Sequence, residues 1–431
     1  MPVSENVYDV LNERGFIAQS TDEEGIRQRL QKPATCYIGF DPTADSLHIG
    51  SLVPILALAH MQRHGHRPLV LIGGGTGLVG DPSGKTEMRK MLSVEQIQAN
   101  AEALKLQLSQ FLEFSEDKAR LLNNADWLIG LGYIEFLRDI GKHFSVNRML
   151  AAESYKQRME TGLNFIEFNY MLLQAYDFYY LDRHYDCSLQ MGGNDQWGNI
   201  VAGIELIRRK SGKSAFGITF PLLTTASGAK MGKTAAGAIW LSETRTSPFD
   251  FYQYWVNTDD RDVERFLKLY TFLPLEEIEA VRGLEGQHLN TCKTILAYEV
   301  TALTHGREKA LAAYEGAARV FGRRPLPSGL LPSSSIPRTI REDGEAIPTT
   351  TIQVERLVAG LPAFELFVEV GLCESKSAAR RLIQQGGAYV NDERVQEFDY
   401  KIGLAQVEAE GILLKAGKKK IHRIRIEGHR L

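Results

Sequence analysis

Tyr37-Ile38-Gly39-Phe40-Asp41-Pro42-Thr43-Ala44-Asp45-Ser46-Leu47-His48-Ile49-Gly50-Ser51 decides how the chain is read. Upstream, residues 34–40 are apolar and follow Pro33, the pattern of a short buried strand. Downstream, Ile49, Leu52, Val53, Leu56 and Ala59 recur at helical spacing until Gly65. Asp45 and Ser46 stand where an N-cap is expected, and Pro42 cannot donate to a strand ladder. A strand therefore runs through a polar turn into a helix, with His48 and Gly50 in the first helical turn. N–H groups and the positive end of the helix dipole gather there, which suits a phosphate. Gly50 lets a flat ring or a ribose lie against the backbone, and His48 can hydrogen-bond a phosphate oxygen as charge develops on it. An ordinary capped corner has the same pattern, and this stretch alone does not separate the two.

At 431 residues the chain is long enough for about two or three domains. With 44% hydrophobic and 24% charged residues it has the composition of a soluble globular protein. Lys, Arg, His or Asp interrupts every apolar run, so no membrane span is expected. Residues 1–14 are polar and acidic with no apolar core, so no secretion signal is expected. Cys36, Cys187, Cys292 and Cys373 lie far apart without metal-ligand spacing, which fits thiols in a reducing cytoplasm. The formal net charge of −3 argues for no particular partner. Residues 361–431 are slightly net positive, the remainder net negative.

Along the chain, residues 7–31 read as two short helices and 67–72 as a second buried strand. The segments 93–112 and 145–160 read as amphipathic helices, and 165–182 as an aromatic one. Residues 187–191 form a strand leading into Gly192-Gly193-Asn194-Asp195-Gln196-Trp197, where Asp195 opens a further helix. Strands alternating with helices imply an α/β fold with a parallel, Rossmann-like sheet. We therefore expect a catalytic domain over 1–222 and a mobile loop with a helical subdomain over 223–322. A Pro-rich linker over 323–360 and a small α/β domain over 361–431 complete the division.

Three further stretches bear on chemistry. Gly75-Thr76-Gly77-Leu78-Val79-Gly80 fits the dinucleotide fingerprint, but Pro82 falls where the following helix should already run. Gly80 to Thr86 is one residue short of a phosphate-binding P-loop. What remains is a Gly-rich loop at a strand end, where substrate can lie against backbone. Lys230-Met231-Gly232-Lys233-Thr234 sits among glycines and can carry two lysines onto a polyphosphate, although a solvated surface loop has the same composition.

Taken together, the His48-Ile49-Gly50-Ser51 and Lys230-Met231-Gly232-Lys233-Thr234 segments resemble the HIGH and KMSKS signatures of class I aminoacyl-tRNA synthetases. Residues 37–41, 80–83, 170–177 and 192–197 resemble bacterial tyrosyl-tRNA synthetases in particular. Residues 361–431 look like an S4 RNA-binding domain through 375–383 and 386–391. Ser51 stands where the family's HIGH usually has its second histidine.

The resemblance implies activation of L-tyrosine by ATP with Mg²⁺, then transfer to tRNA(Tyr), by a homodimer. It places Asp41, Thr43, His48, Gly50, Ser51 and Asp195 on ATP, and Lys85, Lys230, Lys233 and Thr234 on the departing pyrophosphate. Tyr37 and Asp177 would meet the phenol hydroxyl, while Asp81, Tyr170, Gln174 and Gln196 would bind or flank the α-amino group. No protein metal site is implied. Lys376, Arg380, Arg381, Lys418, Lys419 and Lys420 are the candidate RNA contacts, although a solvated charged face would look the same. A tryptophan-specific relative, a non-catalytic RNA-binding paralogue and a nicotinamide-dependent oxidoreductase are the competing readings.

Overall fold

The computed structural model describes every residue except 1–5, 84–91, 227, 229–230, 235–236, 323, 339–347, 392, 409–410, 418–419 and 428–431, with backbone alone at 153, 154, 157, 233 and 234. It forms two compact units, Met1–Arg245 with Asp259–Gly283, and Thr246–Thr258 with Leu284–Leu431.

In the first unit a six-stranded sheet runs in the order β1 (Gln19–Ser20), β6 (Phe216–Phe220), β5 (Cys187–Gly193), β2 (Thr35–Phe40), β3 (Arg67–Ile72), β4 (Arg120–Asn123). All neighbours are parallel except β1, which is antiparallel to β6. A parallel sheet is covered on both faces, so its strands read as continuous apolar runs, as β3 does after Arg67. Tyr37, Leu69 and Leu71 pack with Phe178, Leu181 and Ile207 of the helices Tyr170–Tyr185 and Trp197–Ser211. Strand order reverses at β2: the chain steps out to β3 and β4, then returns to the other side for β5. Such a reversal opens a crevice beyond the carboxyl ends of the two central strands. Residues 41–51 leave β2 there, and residues 194–196 leave β5.

The start of the first long helix differs from the sequence expectation. His48, in extended backbone, is itself the cap: its Nδ1 accepts the Gly50 N–H at 3.0 Å. A 3-10 turn, Ile49–Ser51, leads into the helix Leu52–Arg63. Asp45 is drawn off to Arg245, and the Ser46 hydroxyl to Gln107 and the Ser242 N–H, so neither caps the turn. Two segments read as single helices are each broken in two, into Val146–Leu150 and Glu153–Thr161, and into Phe165–Phe168 and Tyr170–Tyr185.

The first unit takes back Asp259–Gly283, which the sequence placed with the helical subdomain. Arg14 donates to the carbonyls of Lys268, Thr271 and Leu273, and the Phe272 and His60 rings meet edge-on, so the helix Val263–Tyr270 is fastened here.

In the second unit the helices Pro248–Val256, Gly286–His305 and Arg307–Phe321 pack together. The small sheet runs β12 (Glu393–Arg394), β11 (Ala388–Val390), β14 (Ile412–Ala416), β15 (Lys420–Glu427), β9 (Thr349–Gln353), and β10 (Leu361–Pro362) pairs antiparallel with β13 (Lys401–Ile402). The expected linker is therefore shorter than 323–360. β9 pairs in parallel with β15, and Ile352 and Leu357 belong to the same core as Phe367 and Leu414. Earlier, Arg324 donates to the Asn290 carbonyl, and the Ser334 and Ser335 hydroxyls donate to Glu299, which ties the Pro-rich stretch to the helix Gly286–His305.

Candidate active site

A cavity of about 380 Å³ occupies the crevice beyond β2 and β5. It is lined by Tyr37, Asp41, Thr43, His48, Gly50, Ser51, Asp81, Tyr170, Gln174, Asp177, Asp195 and Gln196, twelve residues singled out from sequence. Lys85 and Lys230 lie outside the described residues. Lys233 and Thr234 are described in backbone alone, as a two-residue strand β7 paired with β8 (Gly237–Ala238).

One end of the cavity is deep. Tyr37 is 1% exposed and Asp177 2%. The Tyr37 hydroxyl is buried and has no hydrogen-bond partner among the described residues. Burial raises its pKa, and the nearby Asp177 charge adds to the rise. Asp177 accepts from Trp127 Nε1 at 2.8 Å and from Asn124 Nδ2 at 2.9 Å. Burial nevertheless pushes its carboxyl up to about 7, because two neutral donors do not replace a hydration shell. Gln190 sits opposite Tyr37 in the β2–β5 register, and its Oε1 is likewise buried without a partner.

Polar groups pair off in the middle of the cavity. Gln196 Nε2 donates to Asp81 Oδ2 at 2.6 Å, and Asp81 Oδ1 accepts the Ser83 N–H. Asn199 donates to Gln174 at 3.0 Å and to Gln196 at 3.2 Å. The Asp41 carboxylate accepts the Tyr170 hydroxyl at 2.9 Å and the Thr76 hydroxyl at 3.0 Å. A Cβ at Gly73 would run into Asp41 Oδ1, so this close approach requires glycine there. Tyr170, Gln174 and Asp177 lie along one face of their helix, as their spacing requires.

The other end is open, with Thr43 and His48 exposed. Because His48 Nδ1 accepts from Gly50, the neutral ring carries its proton on Nε2, as a donor. A side chain at position 50 would meet His48 Cε1 at 2.7 Å, so glycine is what allows this cap. Ser51 makes no side-chain capping bond. The Asp195 turn is pinned through its neighbour, since Asn194 Oδ1 accepts from Gln19 and Thr219.

The Gly75–Gly80 segment forms a 3-10 turn at Thr76–Leu78 and opens no α-helix. A dinucleotide site needs that helix N-terminus for its pyrophosphate. Instead Asn124 caps the turn, accepting the Gly75 N–H at 2.7 Å.

Sequence reasoning missed Asn124, Trp127, Gln190, Asn199 and Trp240. Asn124 follows the unread strand β4 directly, and recognising that strand would have singled it out.

In the second unit the expected RNA contacts divide. Lys376 donates to Glu365 at 2.6 Å, and Arg380 lies 4.2 Å over the Phe364 ring. Arg381 and Lys420 instead line one groove with Leu372, Gln385 and Gly417. Lys418 and Lys419 fall outside the described residues.

Comparison with known proteins bears on both units. Residues 28–322 match the family model for class I tRNA synthetases (W and Y). Residues 340–424 match the tyrosine–tRNA ligase SYY-like C-terminal domain. The tyrosine–tRNA ligase of Desulfatibacillum aliphaticivorans is 60% identical over 423 residues, 97% of this chain and 98% of that protein. That of Desulfosudis oleivorans is 59% identical over 426 residues, 97% and 98% of the two chains. Among solved structures, a C-terminally truncated mitochondrial tyrosyl-tRNA synthetase of Aspergillus nidulans superposes with a TM-score of 0.66 at 31% identity, covering 74% of this chain and 94% of that one. With matches at this identity over nearly its whole length, the chain belongs to the tyrosine–tRNA ligases of the class I tRNA synthetase family.

Proposed function

We propose that this chain activates L-tyrosine with ATP in the cavity beyond β2 and β5 and transfers the tyrosyl group to tRNA(Tyr). The observation that carries the assignment is the deep end: an unpartnered Tyr37 hydroxyl and the Asp177 carboxylate, both buried. A phenol hydroxyl has one donor and two acceptor positions, so it can donate to Asp177 while accepting from Tyr37. An indole or a phenyl ring cannot do both.

Asp81, Tyr170, Gln174 and Gln196 then fall at the height of the α-amino group, with Asp41 orienting Tyr170. Tyrosine's carboxylate attacks the α-phosphorus of ATP, a P–O bond forms, and pyrophosphate leaves with the electrons of the bond that breaks. The attacking carboxylate is already ionised at neutral pH, so no general base is needed. Positioning and charge stabilisation do the work. Thr43 and the Nε2–H of His48 face the phosphates at the open end, Gly50 and Ser51 the adenosine, and Asp195 the ribose. Lys85, Lys230, Lys233 and Thr234 are assigned to the leaving pyrophosphate from sequence.

Among the described residues no three His, Cys, Asp or Glu side chains group as a metal cage. A Mg²⁺ entering with ATP would supply neutralisation of charge on the departing pyrophosphate.

The groove of Arg381 and Lys420, with the adjoining basic residues, is proposed to contact tRNA phosphates. Ile129, Tyr133, Ile134, Val146 and Phe165 are large apolar side chains left exposed in the first unit, which supports a homodimer. No described helix is long and apolar enough to cross a membrane. We place the protein in the cytoplasm.

Charging of a tRNA pool with tyrosine, tryptophan or phenylalanine tests the proposal. Tyrosine alone should be esterified at a useful rate. Equal charging with tryptophan would reassign the deep end of the pocket.

A further inference from the structure

The backbone around His48 is held from a second segment that the sequence did not single out. The Ile49 N–H donates to the Ile239 carbonyl at 3.0 Å, and the Leu241 N–H to the Leu47 carbonyl at 2.8 Å. His48 and Trp240 therefore stand opposite each other as an antiparallel pair. Side chains directly opposed in such a pair project on the same side. The two rings meet edge-on, with centroids 6.3 Å apart and planes at 64°. On the indole, the Arg245 guanidinium lies 4.4 Å from the ring centroid. Arg245 in turn forms an ion pair with Asp45. Trp240 also lines the cavity beside His48 and Gly50.

We propose that Trp240 is a positioning residue for His48, and that Arg245, held by Asp45, keeps Trp240 in place. The proposal rests on reading His48 as a donor to the ATP phosphates. The bond from Gly50 holds one ring nitrogen, and the Trp240 ring, standing edge-on to the imidazole, bears on the tilt of the ring and so on the direction of the Nε2–H. The Asp45–Arg245 pair is part-exposed, at 56% and 38% of side-chain area, so as an ion pair it adds little stability. Its effect is geometric: it holds a planar cation over the indole face, where the ring quadrupole attracts it.

The test is single-turnover formation of the adenylate by the full-length protein at saturating tyrosine and ATP. Trp240→Ala should slow this step roughly 10- to 100-fold, the scale of about 1 Å of misplacement at a reacting centre. Tyrosine Kd should stay within about twofold, because nothing at the deep end has moved. Trp240→Phe keeps an aromatic edge and should recover most of the rate. Arg245→Met keeps the length without the charge and should give a smaller loss of the same kind. The decisive comparison is with His48→Ala. If Trp240 acts through His48, the double variant is no slower than His48→Ala alone. The Arg245→Met/His48→Ala cycle carries the same test should Trp240→Ala fail to fold. Losses that multiply, or a tyrosine Kd that weakens in step with the rate, overturn the proposal while leaving His48 in its role. An unchanged rate in His48→Ala overturns the reading of His48 and the proposal with it.

Discussion

Tyr37→Phe separates function from stability more cleanly than any other change at this site. The deleted hydroxyl lies at the deep end of the cavity and bonds no described residue. Removing it breaks no bond within the described protein and opens a space no larger than one oxygen, so the unliganded variant should be about as stable as the parent. With tyrosine bound the change is costly, because the substrate hydroxyl loses its donor while Asp177 still accepts from it. One unmade buried hydrogen bond is worth roughly 1–3 kcal/mol, or about 5- to 150-fold in the activation of tyrosine relative to phenylalanine. The assay pairs thermal unfolding of the unliganded protein with tyrosine- and phenylalanine-dependent pyrophosphate exchange. A variant clearly destabilised without ligand, with an unchanged tyrosine-to-phenylalanine ratio, would refute the reasoning on both sides.

Three other outcomes follow from the same geometry. The Asp177 carboxyl titrates near 7 in the fold against 3.8 ordinarily, so its contribution to stability is full below the lower value and is lost as pH rises through about 7; unliganded protein should lose stability between about pH 4 and 7 and level off above that, and Asp177→Asn should flatten that slope. Ionised Asp177 is also the better acceptor, so tyrosine affinity should rise over that interval while phenylalanine affinity does not; parallel curves for the two amino acids would exclude Asp177 from the phenol. Gly50→Ala drives a Cβ into the His48 ring and should slow adenylate formation roughly 10-fold or more with tyrosine Kd nearly unchanged, which stopped-flow measurement of both steps would check. Truncation after Arg338 removes the small sheet with its own core, and should spare pyrophosphate exchange while cutting tRNA charging in a salt-dependent way; full charging at every salt concentration would remove that domain from tRNA recognition.

The parallel sheet and the crevice were legible because they depend on local pattern. Apolar runs that end in Gly-rich turns mark strands, and Tyr170, Gln174 and Asp177 declare one helical face by spacing alone. What the sequence hid was set by partners distant along the chain. Asp45 and Ser46 obey the capping rule locally, yet Arg245, Ser242 and Gln107 take their side chains, and His48 caps instead. Asp41 lies in the same turn as Thr43 and His48, yet its carboxylate is engaged by Tyr170 and Thr76, both distant in sequence. β4 is four residues at a sheet edge, Arg120 exposed and the other three half-buried, too short to show a period, and with it Asn124 went unseen. β9 follows a Pro-rich stretch and runs Thr349-Thr350-Thr351-Ile352-Gln353 with Ile352 its one buried residue, so it read as linker until its pairing with β15 was seen. The partner of Lys376 was equally hidden, since Glu365 sits on the preceding helix and accepts from its ammonium.

The most direct measurement of the central claim is amino-acid-dependent exchange of labelled pyrophosphate into ATP by the purified full-length chain. Tyrosine should support exchange, tryptophan should not, and phenylalanine should do so orders of magnitude more weakly. Asp177→Ala should abolish the preference for tyrosine along with most of the activity. Exchange that is independent of tyrosine, or supported equally by tryptophan, would contradict the account.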